Sequence, residues 1–184
     1  MLRNFQDDKE FYSSLPKKRI GAGVLLFYKG MLLIVQPTYN PGWILPGGTV
    51  EGEESPLEGL CREVHEELGI TIEPTHLLSV DYISNRDVKG EYIQFLFAAR
   101  ELSETQAQHI QLQEYELKDY KFVNYEKALE LLAPVVSKRV QATIDHHAQN
   151  VGAIYLENGR AMESIMQSKA ALPAAFELPM HSLG

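Results

Sequence analysis

The chain has 184 residues, a formal net charge of −8 and 45% hydrophobic residues. This length and apolar content suit one globular domain with a sizeable core. So acidic a chain offers little positive surface to duplex nucleic acid, and we expect no such partner. We also expect no membrane partner and a cytoplasmic location, since no apolar run has the length of a membrane span and the N-terminus lacks a secretory signal. Cys61 is the only cysteine, so an intramolecular disulfide is excluded.

The first elements after the N-terminal extension, residues 1–19, are two strongly apolar segments at 20–28 and 31–36. They flank Lys29-Gly30, and this pattern predicts a β-hairpin with a two-residue turn.

Residues 55–69 have the start and stop signals of one helix. Ser55 and Glu58 form a capping box, Pro56 suits the first helical position and Gly69 suits the end, which predicts a helix over Pro56–Leu68. At about 100° per residue, one stripe of this helix is apolar and should pack: Leu57, Leu60, Cys61, Val64 and Leu68. Three carboxylates gather on the other side: Glu63, Glu66 and Glu67.

Further strands are predicted at 77–84 and 92–100, joined by a polar loop, and a short strand at 120–123. A helical repeat of apolar residues over 124–149 predicts a long second helix that covers the sheet and bends near Pro134. A helix between two groups of strands indicates the α/β class. We predict a main domain over residues 20–149 and a C-terminal extension over 150–184, either docked or loosely ordered.

The carboxylate face of the first long helix has two interpretations. Charged helix faces are commonly solvated. However, like charges three and four residues apart repel each other, and Arg62 is the only cation on the helix that could relieve them. A hard cation such as Mg²⁺ takes oxygen ligands and would remove that cost.

The spacing from Gly48 through Glu54 to the segment REVHEELGI at 62–70 resembles the Nudix box. A hairpin before the box, and strands and a helix after it, are also similar to that family. The resemblance implies a Nudix-type α/β/α sandwich with a mixed β-sheet between helices.

The resemblance also implies roles for box residues. The expected metal-binding carboxylates are Glu63, Glu66 and Glu67, with Mg²⁺ as the ion and Mn²⁺ as a substitute. Arg62 would orient them, and the backbone carbonyl of Gly47 or Gly48 would join the metal shell. Glu54 is expected to have a structural role at the start of the helix, bonded to Arg62.

Two further roles are open. Family members draw a carboxylate from a loop after the box, which binds metal or accepts a proton from the attacking water; Glu116 is our first choice and Glu114 the second. The alternative for either is an ordinary loop acid, and Glu101, Glu104 and Asp119 are weaker candidates. Trp43 precedes the box loop, which begins at Gly47 and Gly48. It either stacks on a substrate base or packs against that loop.

These residues lead to two hypotheses. The first is a Mg²⁺-dependent hydrolase that cleaves the diphosphate linkage of a nucleoside diphosphate joined to another moiety X, by attack of an activated water at phosphorus. The second is a Nudix-fold binding or regulatory module that recognises such a small molecule without cleaving it. X and the oligomeric state stay open, with a homodimer among the alternatives.

Overall fold

The structure, a computed structural model, describes residues 5–84, 90–149 and 152–162. The strands in chain order are β1 (Arg19–Leu25), β2 (Phe27–Tyr28), β3 (Met31–Pro37), β4 (Gly47–Thr49), β5 (Pro74–Ile83), β6 (Tyr92–Ala99), β7 (Leu117–Val123), β8 (Ile154–Glu157) and β9 (Arg160–Ala161). The helices are α1 (Phe5–Ser14), α2 (Pro56–Leu68), α3 (Glu104–Gln108), α4 (Tyr125–Leu131) and α5 (Pro134–His147).

Two sheets form the centre of the molecule. The larger has six strands in the order β4-β1-β6-β5-β8-β9, and the smaller has the order β2-β3-β7. The larger sheet is mixed, because β1 pairs with β6 and β5 with β8 in parallel, while its other pairs are antiparallel. The smaller sheet is antiparallel. The predicted pairing of the strands near 77–84 and 92–100 is confirmed as β5 and β6.

The predicted hairpin is correct at its turn and wrong in its first strand. Lys29 and Gly30 both have positive φ, 49° and 72°, and join β2 to β3 as a tight turn. The predicted strand over 20–28 is two strands, because the chain crosses from one sheet to the other at Leu26. Apolar periodicity is the same in both strands and does not reveal which neighbour each one pairs with.

Helices cover both faces of the sheets. Leu60, Val64 and Leu68 of α2 pack in one core with alternate residues of β1 and β3, such as Val24 and Val35, which point to the same side. The intervening strand residues point to the opposite side and pack with helical residues of the α4 region and α5: Leu25, Leu32 and Ile34 with Ala128, Leu132 and Val140. This arrangement confirms the α/β/α sandwich.

The predicted second helix is two helices. Leu132 and Ala133 leave the helical region, with ψ of 143° and 142°. Pro134 then occupies the first turn of α5. Proline disfavours a helical residue before it and cannot donate a backbone hydrogen bond, so the helix restarts at Pro134 and does not merely bend.

Part of each predicted extension has regular structure. Residues 5–14 form α1, which the sequence did not indicate, and the first residues of the C-terminal extension form the β8-β9 hairpin, in which β8 pairs with β5. The rest of the C-terminal extension, residues 163–184, lies outside the described residues. In the part of the chain that the structure describes, no helix has both the length and the apolarity to span a membrane.

Candidate active site

Helix α2 begins and ends as predicted. The Ser55 hydroxyl accepts from the Glu58 backbone N–H at 3.2 Å, and a Glu58 carboxylate oxygen accepts from the Ser55 N–H at 2.8 Å. Gly69 ends the helix with a φ of 69°. Leu60, Val64 and Leu68 of the apolar stripe are buried and Cys61 is partly buried, whereas Leu57 in the first turn is 45% exposed, which corrects its predicted place in the core.

Arg62 joins the carboxylates of the box. Its Nε donates to Glu54 Oε2 at 3.1 Å and its Nη2 donates to Glu54 Oε1 at 2.7 Å. Its Nη1 donates to Glu63 at 3.1 Å and to Glu66 at 2.9 Å. The hydrogen bonds from Arg62 to Glu54 are the main reason why the pKa of Glu54 is lowered to about 2. Glu54 thus lies where the sequence placed it, at the start of α2 and paired with Arg62.

Glu67 is the buried member of the predicted metal group. Its side chain is 5% exposed, and one of its oxygens accepts from the Gly47 backbone N–H at 2.8 Å. Burial raises the pKa of Glu67 to about 8, against the lowering effect of the Gly47 bond. A group so poorly solvated gains when a cation lies beside it.

Glu63 lies against the glycines of β4. A Cβ atom on Gly48 would overlap the Glu63 carboxylate, and one on Gly47, whose φ is 122°, would overlap the Ala22 carbonyl. Both glycines therefore permit a close approach of the box loop to β1 and α2. Burial raises the pKa of Glu63 as well, although Arg62 opposes the shift.

Of the acids after the box, Glu116 is the one whose charge acts on the box. Its negative charge contributes to the raised pKa values of both Glu63 and Glu67. The loop is tied to the end of α2, since the Gln113 N–H donates to the Glu67 carbonyl at 3.1 Å and the Glu116 N–H donates to the Gln113 carbonyl at 2.9 Å. Glu114 is exposed.

The weaker candidates have other neighbours. Glu101 accepts from the Gly30 N–H at 3.1 Å, at the hairpin turn. Glu104 lies close enough to Lys29 to raise its pKa, after the larger effect of the Tyr28 hydroxyl. Asp119 lies 3.8 Å from Lys121 Nζ.

Trp43 is packed in the core of the protein, in contact with residues outside the box loop. Its ring is 7% exposed and belongs to the core with Leu132, and the Lys121 ammonium lies 4.6 Å from its centroid. A ring this deeply buried offers no open face for a nucleobase to stack on.

The box residues fit a hard divalent cation by the chemistry of their donors. Glu63, Glu66 and Glu67 supply carboxylate oxygens, and two of these groups carry pKa values raised by burial. Within the described ranges, no three His, Cys, Asp or Glu side chains are already arranged around one point as metal ligands. The Arg62 guanidinium donates hydrogen bonds to Glu63 and Glu66. These two carboxylates would therefore have to exchange a bond to the guanidinium for a bond to the metal.

A cavity of about 560 Å³ adjoins the box loop at Gly47 and Gly48. Apolar residues of β1, β6 and α5 form much of its lining, together with Gln94 and Arg139. Arg139 was not predicted as a site residue. Its position three residues after Val136, on the apolar stripe of the helix, was the available signal, because a charged residue at such a position is unusual.

A sequence profile of the NUDIX domain matches residues 17–143. The chain belongs to the Nudix family. The match contains the whole Nudix box, the post-box loop with Glu116, and most of α5, whereas the β8-β9 hairpin lies outside it.

Curated relatives match over the central part of the Nudix domain. A MutT-like protein of Streptomyces ambofaciens is 44% identical over 59 residues, which are 32% of this chain and 38% of that protein. Diphosphoinositol polyphosphate phosphohydrolase 3-alpha of Mus musculus is 38% identical over 74 residues, 40% of this chain and 44% of that protein. Phosphatase NudJ of Escherichia coli K12 is 31% identical over 84 residues, 45% of this chain and 54% of that protein. The matches thus span about half or less of these relatives.

Solved structures support the Nudix fold. A MutT protein from Methanosarcina mazei Go1 superposes with a TM-score of 0.63 at 27% identity, over 74% of this chain and 100% of that chain. A UDP-X diphosphatase superposes with a TM-score of 0.59 at 20% identity, over 84% of this chain and 75% of that chain, and shows the fold alone.

Proposed function

We propose that this Nudix protein is a metal-dependent hydrolase that cleaves the diphosphate linkage of a nucleoside diphosphate joined to a moiety X. The observation that carries the proposal is the collection of acids around the box loop. Glu63 and Glu67 are desolvated, Glu116 adds to their negative field, and a cavity large enough for a nucleotide group begins at Gly47 and Gly48. Arg62 offsets only part of this acidity, and a cation that binds a diphosphate would offset more of it.

The metal we propose is Mg²⁺, with Mn²⁺ as a substitute. Its carboxylate ligands would be Glu63, Glu66 and Glu67, and the Gly47 or Gly48 carbonyl would contribute a further oxygen. When bound, such a cation offsets the charge of the diphosphate and lowers the pKa of a water ligand towards neutrality.

The protein residues around that ion have separate tasks. Arg62 orients Glu66 and Glu63 through its Nη1, while its other edge is fixed on Glu54. The Gly47 N–H holds Glu67. We propose that Glu116 accepts a proton from the water that attacks phosphorus, because its charge acts on the same two carboxylates and it follows a turn tied to α2.

The alternative of a binding module without hydrolysis is less well supported. Such a module can lose the box carboxylates at little cost, whereas this chain has Glu63, Glu66 and Glu67, the last of them buried and held by a backbone N–H. Product formation separates the two functions directly.

The experiment is a substrate panel with product identification. The full chain is incubated with Mg²⁺ and ADP-ribose, UDP-sugars, dinucleoside polyphosphates, nucleoside triphosphates, capped RNA and a diphosphoinositol polyphosphate, and products are resolved by chromatography and mass. The uridine and inositol compounds are included because relatives bear those names. A nucleoside monophosphate together with phosphorylated X supports the proposal. Tight binding of one compound with no product would favour the binding module.

A further inference from the structure

Arg139 is a buried arginine whose hydrogen-bonding capacity is only partly used. The residue is 5% exposed, and its Nε donates to Asp81 Oδ2 at 2.8 Å. Its Nη2 is buried and has no hydrogen-bond partner among the residues that the structure describes. A buried guanidinium nitrogen without a partner is costly, so a position that retains one calls for a functional explanation.

The anchor of Arg139 is itself rigid. Asp81 is fully buried on β5, and both of its carboxylate oxygens also accept from the Gly159 backbone N–H, each at 3.1 Å. Gly159 lies in the turn of the β8-β9 hairpin, and a Cβ there would contact Lys138 and Arg139 at under 3 Å. The hairpin thus fixes Asp81 through the Gly159 N–H and packs against the backbone of Arg139, so the side chain of Arg139 is held at its base by α5 and at Nε by Asp81.

Arg139 lines the cavity that begins at Gly47 and Gly48. Gln94 on β6 also lines it, and its amide occupies space that a side chain on Gly21 would fill. The cavity therefore combines apolar walls with a guanidinium and an amide, the pattern of a site that orients a largely apolar, flat group through a few polar contacts.

We propose that Arg139 is a specificity-determining residue that donates a hydrogen bond to a carbonyl oxygen on the base of the nucleotide substrate. The inference rests on the proposed function, because it assumes that the diphosphate lies at the box loop and the base enters the adjoining cavity. Arginine only donates, so a base that presents an oxo group satisfies it, whereas an amino group at the same place leaves two donors facing each other.

The charge of the pair favours a neutral acceptor over a phosphate. Asp81 balances the charge of Arg139 at 2.8 Å, so the pair has no net charge to attract an anion. Arg139 can nevertheless still donate a hydrogen bond. A carbonyl oxygen can accept that bond without bringing a further charge into the buried site.

The test measures binding of mononucleotides, so that it does not depend on hydrolysis. Calorimetry with the full chain compares two pairs of ligands that differ in an oxo or amino group: IMP with AMP, and UMP with CMP. We expect at least one oxo nucleotide to bind about tenfold or more tightly than its amino partner. Inorganic phosphate is titrated in a separate arm.

The variants separate recognition from folding. Arg139→Lys keeps a cation for Asp81 but shortens the donor and removes its planar fork, and a double change of Asp81→Asn with Arg139→Gln removes both charges together. Both should bring the oxo and amino affinities to within about threefold of each other, while Lys138→Gln, an exposed neighbour on the same helix, should keep the parental preference.

The outcomes are distinct. Equal affinities in the parent, a preference for the amino bases, or a preference that survives both Arg139 variants would each overturn the inference. Phosphate affinity lost on Arg139→Lys without any base preference would also overturn it and would make Arg139 a phosphate ligand. An oxo preference that depends on Arg139, in a protein that hydrolyses nothing in the panel, would support the inference while refuting the proposed hydrolase.

Discussion

Arg62 donates two parallel hydrogen bonds to the Glu54 carboxylate, from Nε at 3.1 Å and from Nη2 at 2.7 Å. The other edge of the same guanidinium reaches Glu63 and Glu66. The planar fork therefore ties the start of α2 to the carboxylates about two and three turns later, and it fixes their orientation before any ligand binds. Lysine has no group that can do both.

We expect Arg62→Lys to lower both turnover and the melting temperature, because a single ammonium cannot bridge Glu54 and Glu66 together. Arg62→Ala should be worse in both respects, since it leaves three carboxylates without their cation. Calorimetry and steady-state kinetics measure the two effects. If Arg62→Lys equals the parent in both, the guanidinium is an ordinary surface group.

The pKa of Glu54 gives a prediction for acid stability. Its folded-state pKa is about 2, below the ordinary value of 4.5, so its ionised form is favoured by folding. The stabilisation is complete above pH 4.5 and disappears as the pH falls through 2. Thermal melts should therefore show the parent above Glu54→Gln at pH 6 and the two converging near pH 2. Glu53→Gln, in the same loop, is the control and should track the parent throughout.

Glu67 should be essential for activity and dispensable for folding. With a pKa of about 8, Glu67 is largely protonated at neutral pH when no metal is bound, so the neutral Glu67→Gln side chain should leave the melting temperature of chelator-treated protein unchanged or higher. Loss of a metal ligand should lower turnover by orders of magnitude. Glu66→Gln should lower turnover similarly. Turnover near the parental value in both variants would exclude these residues as ligands.

Glu116 and Glu114 form a matched pair, two residues apart in one loop. As a proton acceptor, Glu116 should contribute about 10²- to 10⁴-fold, so Glu116→Gln should lose that factor and the acidic limb of the pH–rate profile. Glu114→Gln should keep the parental rate. The reverse result would assign the role to Glu114, and two active variants would mean that neither acid accepts the proton.

Local chemistry made α2 predictable from the sequence. Its capping box, proline and terminal glycine act within a few residues, and the structure begins and ends the helix at Pro56 and Leu68. The Arg62–Glu54 bond was predictable from the spacing of the box, which places Glu54 just before the helix and Arg62 about two turns into it.

The different burial of the carboxylates was not predictable in this way. Glu66 and Glu67 belong to one predicted face, yet the side chain of Glu66 is 50% exposed and Glu67 is 5% exposed. The difference arises because β4 lies over α2 and brings the Gly47 N–H to Glu67, and helical periodicity contains no information about that strand.

Contacts between residues that are far apart in the sequence could not be predicted either. Asp81 and Arg139 are 58 residues apart, on β5 and α5, and meet only because α5 packs on that sheet. The crossing from β1 to β2 at Leu26 depends likewise on which strands are adjacent. Both are set by the packing of distant elements, which a single sequence does not encode locally.

The measurement that tests the central claim most directly is hydrolysis of an active panel substrate in H₂¹⁸O, with the position of the label determined by mass spectrometry. We predict one ¹⁸O atom in a phosphate group of one product, formed with Mg²⁺ and absent both with excess chelator and in Glu67→Gln. Label on a carbon of X, or unchanged product formation in chelator, would contradict metal-dependent attack of water at phosphorus.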